Sequence, residues 1–451
     1  MKSILPQNLI RLAEICEKTL YVVGGSVRDF LAGLRAKRYD FDVAGAMLPD
    51  EFLSYAKKAG FTPKAVYRHT GTVKLSDGEF SDYEYACFRS DKYVRGEHTP
   101  TEIFFTDDVA LDAKRRDFTA NAVYYDIKAD EFIDPLGGIP AIQEKRFSTV
   151  DRAEKVFGED GLRLMRLARQ AAQLGFYPDE ECLSGAKKNA SLIRDISPER
   201  IYAELQAILR ADEKYGVKDG HYTGLCLLEE MGVLAEILPE LALGKGLVQR
   251  ADYHAHDVLQ HSLRAAKYAP PHLRLSALLH DVGKPFCFHR DGNFYNHPVE
   301  GERLAEAALL RLKAPKKEIA LVKAMVKFHM YDFNGQTGEK KIRRFLVENA
   351  EIINDLLALK QADFSACKDD LSPCPTGNRW KALLKKMQAE KVPFSLKELA
   401  VSGKDLATAG IPNQKLSTTL HALLMHTAIT PKDNTPERLL RLALGLTKNL
   451  R

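Results

Sequence analysis

No stretch of this 451-residue chain is apolar for long enough to cross a bilayer, and none of its cysteines form a Cys-x-x-Cys pair. The first absence argues against a membrane-spanning helix. The second argues against a zinc ribbon. The seven cysteines are scattered (16, 87, 182, 226, 287, 367 and 374), do not suggest a disulfide framework, and are expected to be reduced thiols. The opening Met1-Lys2-Ser3-Ile4-Leu5-Pro6-Gln7 lacks a signal-peptide core, so a cytoplasmic protein is expected. Excess charge of one sign is also scarce. The 66 basic residues nearly balance 61 acidic ones, and a net +5 permits a polyanionic partner without demanding one. Internal repeats and low-complexity segments are missing as well.

What is present is a chain of about three domains' length, with 45% hydrophobic and 28% charged residues, as in soluble globular proteins. Residues 1–150 mix strand and helix signals and read as a small α+β domain with a mixed or antiparallel sheet. Tyr21-Val22-Val23 is a short strand ending in a Gly24-Gly25 turn, a short helix runs from Val27 to Leu34, and Tyr39 to Ala44 is the next strand. Thr72 to Leu75 and Tyr83 to Phe88 alternate as strands do, and Asn121 to Ile127 with Glu131 to Ile133 form a hairpin. From about residue 150 the pattern is helical. A helix from Glu159 to Leu174 repeats apolar residues at the 3.6-residue period. Another opens with Ser197 as N-cap and Pro198 at its first position. The expected organisation is a head over 1–150, a helical neck and body over 151–245, a histidine-rich helical domain over 250–368, and a helical tail over 378–451.

The chemistry begins at Asp40 and Asp42 in Arg38-Tyr39-Asp40-Phe41-Asp42-Val43. On a strand, residues i and i+2 share a face, so the two carboxylates can share divalent cations. The Gly24-Gly25 turn lets backbone amides approach a phosphate chain. Attack of a hydroxyl on an α-phosphate needs charge neutralisation and an activated nucleophile, which two carboxylate-bridged metals supply. Magnesium suits such oxygen ligands. Glu84 is the leading third carboxylate, Asp82 on the same face competes with it, and an exposed strand residue is the plain alternative. Lys114-Arg115-Arg116-Asp117 offers guanidinium groups to a triphosphate or sugar. Asp160 and Arg163, three apart on a helix, either form an ion pair or present donors and acceptors to a base edge.

These motifs, with Asp134-Pro135-Leu136-Gly137-Gly138 and Ser197-Pro198-Glu199-Arg200-Ile201, occur in an order that resembles the class II tRNA nucleotidyltransferases, the CCA-adding enzymes of bacteria and eukaryotes. The resemblance runs from about Tyr21 to the C-terminus. It implies that Gly25 and Arg28 contact the incoming triphosphate, that Asp40 and Asp42 hold Mg2+, and that Arg116 helps bind CTP or ATP. Asp160 and Arg163 would act as an amino-acid template for cytosine and then adenine, with Arg166 and Arg169 completing the pocket and tRNA as the partner. Ala120, Ala141 and Gln170 depart from the family's usual larger aliphatic, acidic and aromatic residues. The segment Arg89 to Asp108, including Asp91-Lys92-Tyr93-Val94-Arg95, is of the length that favours complete CCA addition over CC addition. It leaves A-addition and poly(A) synthesis open.

His261, His280-Asp281, His297, His329 and Asp363 follow in order on helical segments. His280 and Asp281, with His261 upstream and Asp363 downstream, supply imidazole and carboxylate ligands for one or two divalent metals. The pattern resembles the HD-superfamily metal phosphohydrolases, a domain that carries phosphatase and cyclic phosphodiesterase activity in some CCA-adding enzymes. The expected cofactor there is a divalent transition metal. The rival of a different class is an HD phosphohydrolase whose first domain is a degraded binding module.

Overall fold

The computed structural model describes residues 1–34, 40–78, 82–93 and 100–448. Arg38, Tyr39, Val94, Arg95 and the side chain of Asp82 lie outside them. The chain divides into two compact units, Met1–Ala242 with Leu310–Ala314, and Leu243–Leu309 with Pro315–Arg451.

The first unit is built on strands β1 (Leu20–Val23), β2 (Asp42–Gly45), β3 (Thr62–Tyr67), β4 (Thr72–Ser76), β5 (Asp82–Cys87), β6 (Arg89–Lys92), β7 (Glu102–Phe105), β8 (Tyr124–Asp126) and β9 (Glu131–Ile133). Seven of them form one sheet in the order β3-β4-β5-β2-β1-β8-β9, and β6 and β7 pair separately. β2 and β5 run parallel, while its other neighbours in the sheet are antiparallel. Val22, Val23, Val43, Val73 and Tyr85 are buried, as β-branched and aromatic residues on a covered sheet should be. Tyr85 stacks on Phe52 at 3.7 Å between centroids, and its hydroxyl donates to the carbonyls of Gly45 and Met47. A fully buried ring of this kind therefore leaves no orphaned polar atom.

Several local expectations shift. Asp40 precedes β2, so only Asp42 belongs to the strand. Thr119–Asn121 is a turn of 3-10 helix and the hairpin strand is shorter than the sequence pattern, starting at Tyr124. The chain does not run as one helix from Glu159. One helix ends there (Ala153–Glu159), Asp160 is extended with φ −146° and ψ 108°, and the next spans Leu162–Leu174. Apolar periodicity carries across such a break because both helices bury the same side. Ser197 stands at the N-cap of Pro198–Leu209, but its side chain makes no capping hydrogen bond.

The second unit is helical among its described residues. One core, centred on the fully buried Trp380, includes Ala265, Leu356, Leu423 and Ala443, so the histidine-rich segment and the tail share an interior. The Trp380 indole donates to Asp332 at 3.0 Å and Lys360 sits over its ring, which satisfies the polar edge of a side chain that size. The helix Pro375–Ala389 starts inside the Pro-rich stretch that reads as a break between Asp369 and Asn378.

Candidate active site and metal centre

β1 ends at Val23, and the φ of +80° at Gly24 turns the chain sharply into the helix Gly25–Leu31. A Cβ at Gly24 would lie 3.1 Å from Asp42 Oδ2, so glycine keeps that oxygen open. Asp42 stands opposite Glu84 in the parallel β2–β5 register. Loss of surrounding water inside the cavity raises the Asp42 carboxyl to about 6; Arg116 and Arg166 oppose this, while Glu84 and Asp40 add to it. Glu84 is exposed, 3.5 Å from Lys74, and is not part of the cavity wall, although it faces Asp42 closely enough to act on its charge.

Asp40 and Asp42 open into a cavity of about 480 Å3 in the first unit. Its described wall also holds Gly24, Gly25, Arg28, Arg116, Asp160, Arg163, Arg166 and Arg169, the residues singled out in the sequence. It also holds Arg115 and Arg200 from the sequence motifs, and it adds Arg89, Lys214 and Tyr215, which no motif indicated. Eight arginines and one lysine face six aspartates there, a surplus of positive charge suited to a polyphosphate.

The arginines are held, not loose. Arg116 donates to the Tyr124 hydroxyl and to Asp112, which is fully buried. Arg166 forms a two-pronged pair with Asp117 at 2.8 and 2.7 Å. Burial alone would raise the Asp117 carboxyl, but Arg166 and the Asn121 amide outweigh it and hold it far below the usual range. Arg169 donates to Glu204 at 2.6 Å. Arg163 does not pair with Asp160. Its Nη1 donates to Glu159 at 2.9 Å and to the Val156 carbonyl at 2.8 Å, its Nη2 donates to the Arg115 carbonyl at 2.9 Å, and Tyr93 lies beneath it. Asp160 accepts instead from the Leu162 amide at 3.0 Å, which caps the restarting helix. The extended Asp160 backbone thus separates the two side chains that a continuous helix would have placed side by side.

In the second unit, His261 lies on the helix Val258–Tyr268, His280 and Asp281 follow Arg274–Leu279, His297 opens His297–Arg311, His329 follows Lys316–Phe328, and Asp363 lies on Ile353–Lys368. Gly283 permits the approach, since a Cβ there would stand 2.1 Å from the His297 carbonyl. Donor atoms of His261, His280 and Asp363 lie within 4.8 Å of one another, as do those of Asp281, His297 and His329. Asp281 joins the sets: Oδ2 is 3.2 Å from His280 Nε2, and Oδ1 is 3.2 Å from His297 Nε2. The Nδ1 atoms of His280, His297 and His329 donate to the carbonyls of Ala277, Phe294 and Val326 at 2.6–2.8 Å. This fixes Nε2 as the atom that takes a proton or a metal. His261 and His280 Nε2 approach to 3.2 Å, and His297 and His329 Nε2 to 3.1 Å, contacts that need a bridging proton or cation. Burial disfavours charge on His280, yet Asp281 and Asp363 raise it to about 10, whereas burial pushes His329 down to about 4. Four imidazoles, three of them tethered from behind, and two carboxylates, all aimed inward, fit a pair of divalent transition metals. His297 and His329 go beyond the four ligands marked in the sequence. His254 and Cys367 also approach His261, and among the described residues His254 Nδ1 and His261 Nδ1 have no hydrogen-bond partner.

Comparison with known families agrees with this division. Residues 20–148 match the poly A polymerase head domain, 175–243 the probable RNA and SrmB-binding site of polymerase A, and 251–364 the HD domain. The chain is 29% identical over 431 residues to an A-adding tRNA nucleotidyltransferase of Deinococcus radiodurans, covering 89% of this chain and 90% of that protein. It is 37% identical over 189 residues to a CCA-adding enzyme of Geobacillus kaustophilus, covering 42% of this chain and 45% of that one. In fold it is similar to the Bacillus stearothermophilus CCA-adding enzyme crystallised with CTP, at a TM-score of 0.66, 23% identity and 99% coverage of both chains. No helix among the described residues is long and apolar enough to cross a membrane. With a nucleotidyltransferase head, its RNA-binding neighbour and an HD domain in that order, the chain belongs to the class II tRNA nucleotidyltransferase family.

Proposed function

We propose that this protein adds CMP and AMP to the 3′ end of tRNA to complete CCA, without a nucleic-acid template. The observation that carries the reading is one cavity walled by Asp40, Asp42, Arg28, Arg116, Asp160, Arg163 and Arg166. The tRNA 3′-hydroxyl attacks the α-phosphate of CTP or ATP, the bond to the β-phosphate breaks, and pyrophosphate leaves. Asp40 and Asp42 are the residues to hold Mg2+, which when bound neutralises phosphate charge and activates the hydroxyl; their hard oxygen donors suit that ion. Glu84 acts on Asp42 from the neighbouring strand, through its charge. Gly24 and Gly25 leave backbone room for the phosphates, and Arg116 with Arg166 and Arg169 faces the nucleotide. Asp160 and Arg163 read the base. For both to face one base edge, Arg163 must exchange its bond to Glu159, its partner in this structure, for the nucleotide. The RNA-binding segment and the helical tail grip tRNA by shape and backbone charge.

A-addition alone is the second reading, because the relative matching nine-tenths of the chain is named for it. Supplying tRNA that ends before CCA with labelled CTP or ATP, separately and together, tests both. CMP incorporation followed by AMP supports the first reading. Failure to use CTP, with AMP added only to tRNA ending in CC, moves the protein to the second.

For the second unit we infer metal-dependent phosphohydrolase chemistry at the centre of His261, His280, Asp281 and Asp363, extended by His297 and His329. Its Asp281 bridge and tethered imidazoles support a resident transition metal. Opening of 2′,3′-cyclic phosphates to monoesters, or release of inorganic phosphate from terminal monoesters, by the metal-loaded protein, lost in His280→Ala, is the test. Seven scattered cysteines with no Cys-x-x-Cys pair support a reducing, cytoplasmic setting.

A further inference from the structure

Arg28 is anchored on several sides. Its Nε and Nη2 donate to Asp29 Oδ1 at 3.0 and 2.7 Å, and its Nη1 donates to Asn121 Oδ1 at 2.6 Å and Gln170 Oε1 at 2.7 Å. These bonds use four of the five N–H groups of a guanidinium. Gln170 is only 3% exposed, and its orientation is forced. Arg28 has no acceptor to offer, and Asn121 Nδ2, which also donates to Asp117, approaches the same Gln170 oxygen at 2.9 Å. With two donors converging, Oε1 faces them and the Nε2 amide faces away. Among the described residues Nε2 meets no acceptor, it is not among the sealed polar atoms, and Gln170 is part of the cavity wall. The amide is thus turned toward the ligand space with its N–H groups free of any protein acceptor among the described residues and available to a ligand.

Position indicates which acceptor. Gln170 shares a stripe of the Leu162–Leu174 helix with Arg163 and Arg166, but lies about 10 Å along the axis from Arg163, away from the base-reading end. Its neighbour Arg28 extends Nη2 toward Gly25, to within 3.4 Å of where a Cβ would sit, beside the turn that carries the phosphates.

We propose that Gln170 is a further nucleotide-binding residue, its Nε2 donating to a polyphosphate oxygen while its Oε1 positions Arg28. The assignment rests on the nucleotidyl-transfer reading and names a contact within that site. NMR of the full chain tests it. The Gln170 side-chain amide signals, identified by their loss in Gln170→Met, should shift when inorganic pyrophosphate or CTP is added with magnesium, and stay still with cytidine. Pyrophosphate affinity should weaken on the order of tenfold in Gln170→Met. Should that variant not fold, Gln170→Glu, which keeps an oxygen toward Arg28, serves for the signal assignment. Amide signals that move with cytidine but not pyrophosphate overturn the phosphate contact. Signals silent to every ligand, with affinity unchanged, reduce Gln170 to a clamp on Arg28 and overturn it too. Nucleotide incorporation by the wild type and by Asp42→Ala, measured in parallel, separates the two levels. Active wild type with a silent amide sinks the Gln170 assignment alone; wild type that incorporates nothing sinks both.

Discussion

The two candidate metal centres solve opposite problems. Asp40 and Asp42 offer hard oxygens at an open cavity, beside arginines already held by other residues. The second centre encloses four imidazoles and two carboxylates, with His261, His280 and Asp281 essentially sealed from solvent. Oxygen ligands at an open wall suit an ion that comes and goes with its nucleotide, whereas nitrogen ligands inside a helical core suit one that stays. The difference therefore lies in residence as much as in element.

Chelation should divide them most completely. Brief treatment with EDTA is expected to abolish nucleotide incorporation, with full recovery on adding magnesium, while transition metal measured by elemental analysis stays bound. Loss of both together would erase the contrast. Asp42→Ala should lower incorporation about 10³-fold, since metal-supplied charge stabilisation is worth several kcal/mol, and should leave bound transition metal unchanged. His280→Ala should do the reverse: removing a ligand weakens metal binding by more than the roughly 100-fold seen for outer partners, with incorporation near wild type.

Smaller effects probe how the open cavity is tuned. Glu159→Gln removes the charged partner of Arg163, and the ratio of CMP to AMP incorporation should change by about tenfold, in line with a charged hydrogen bond. An unchanged ratio would mean that Glu159 serves the helix end alone. Glu84→Gln should alter the rate only a few-fold, because the residue is solvent-screened and acts on Asp42 through charge. A drop as deep as that of Asp42→Ala would make Glu84 a direct ligand.

Much of this is legible in the amino-acid sequence. Asp42, Gly24 and the Arg115–Arg116–Asp117 run carry their chemistry in type and order, and they do line one cavity. The break at Asp160–Gly161 was hidden, because a 3.6-residue period registers which side is buried and not whether the backbone is continuous. Glu159 consequently went unnoticed as the partner of Arg163. His297 and His329 sit 16 and 48 residues beyond Asp281, distances no spacing rule spans; they meet it because Gly283 allows the helices to close. Gln170 was visible only as an amide where an aromatic was expected.

Asp281 touches one histidine pair with one oxygen and the other pair with the second. A substitution there cannot dismantle half of the centre. Drift at this codon would silence both positions in a single step, whereas drift at His261 or His329 could leave a working remnant. Among descendants of this chain, Asp281 should therefore divide the population cleanly into those that keep the histidine-rich centre and those that have abandoned it.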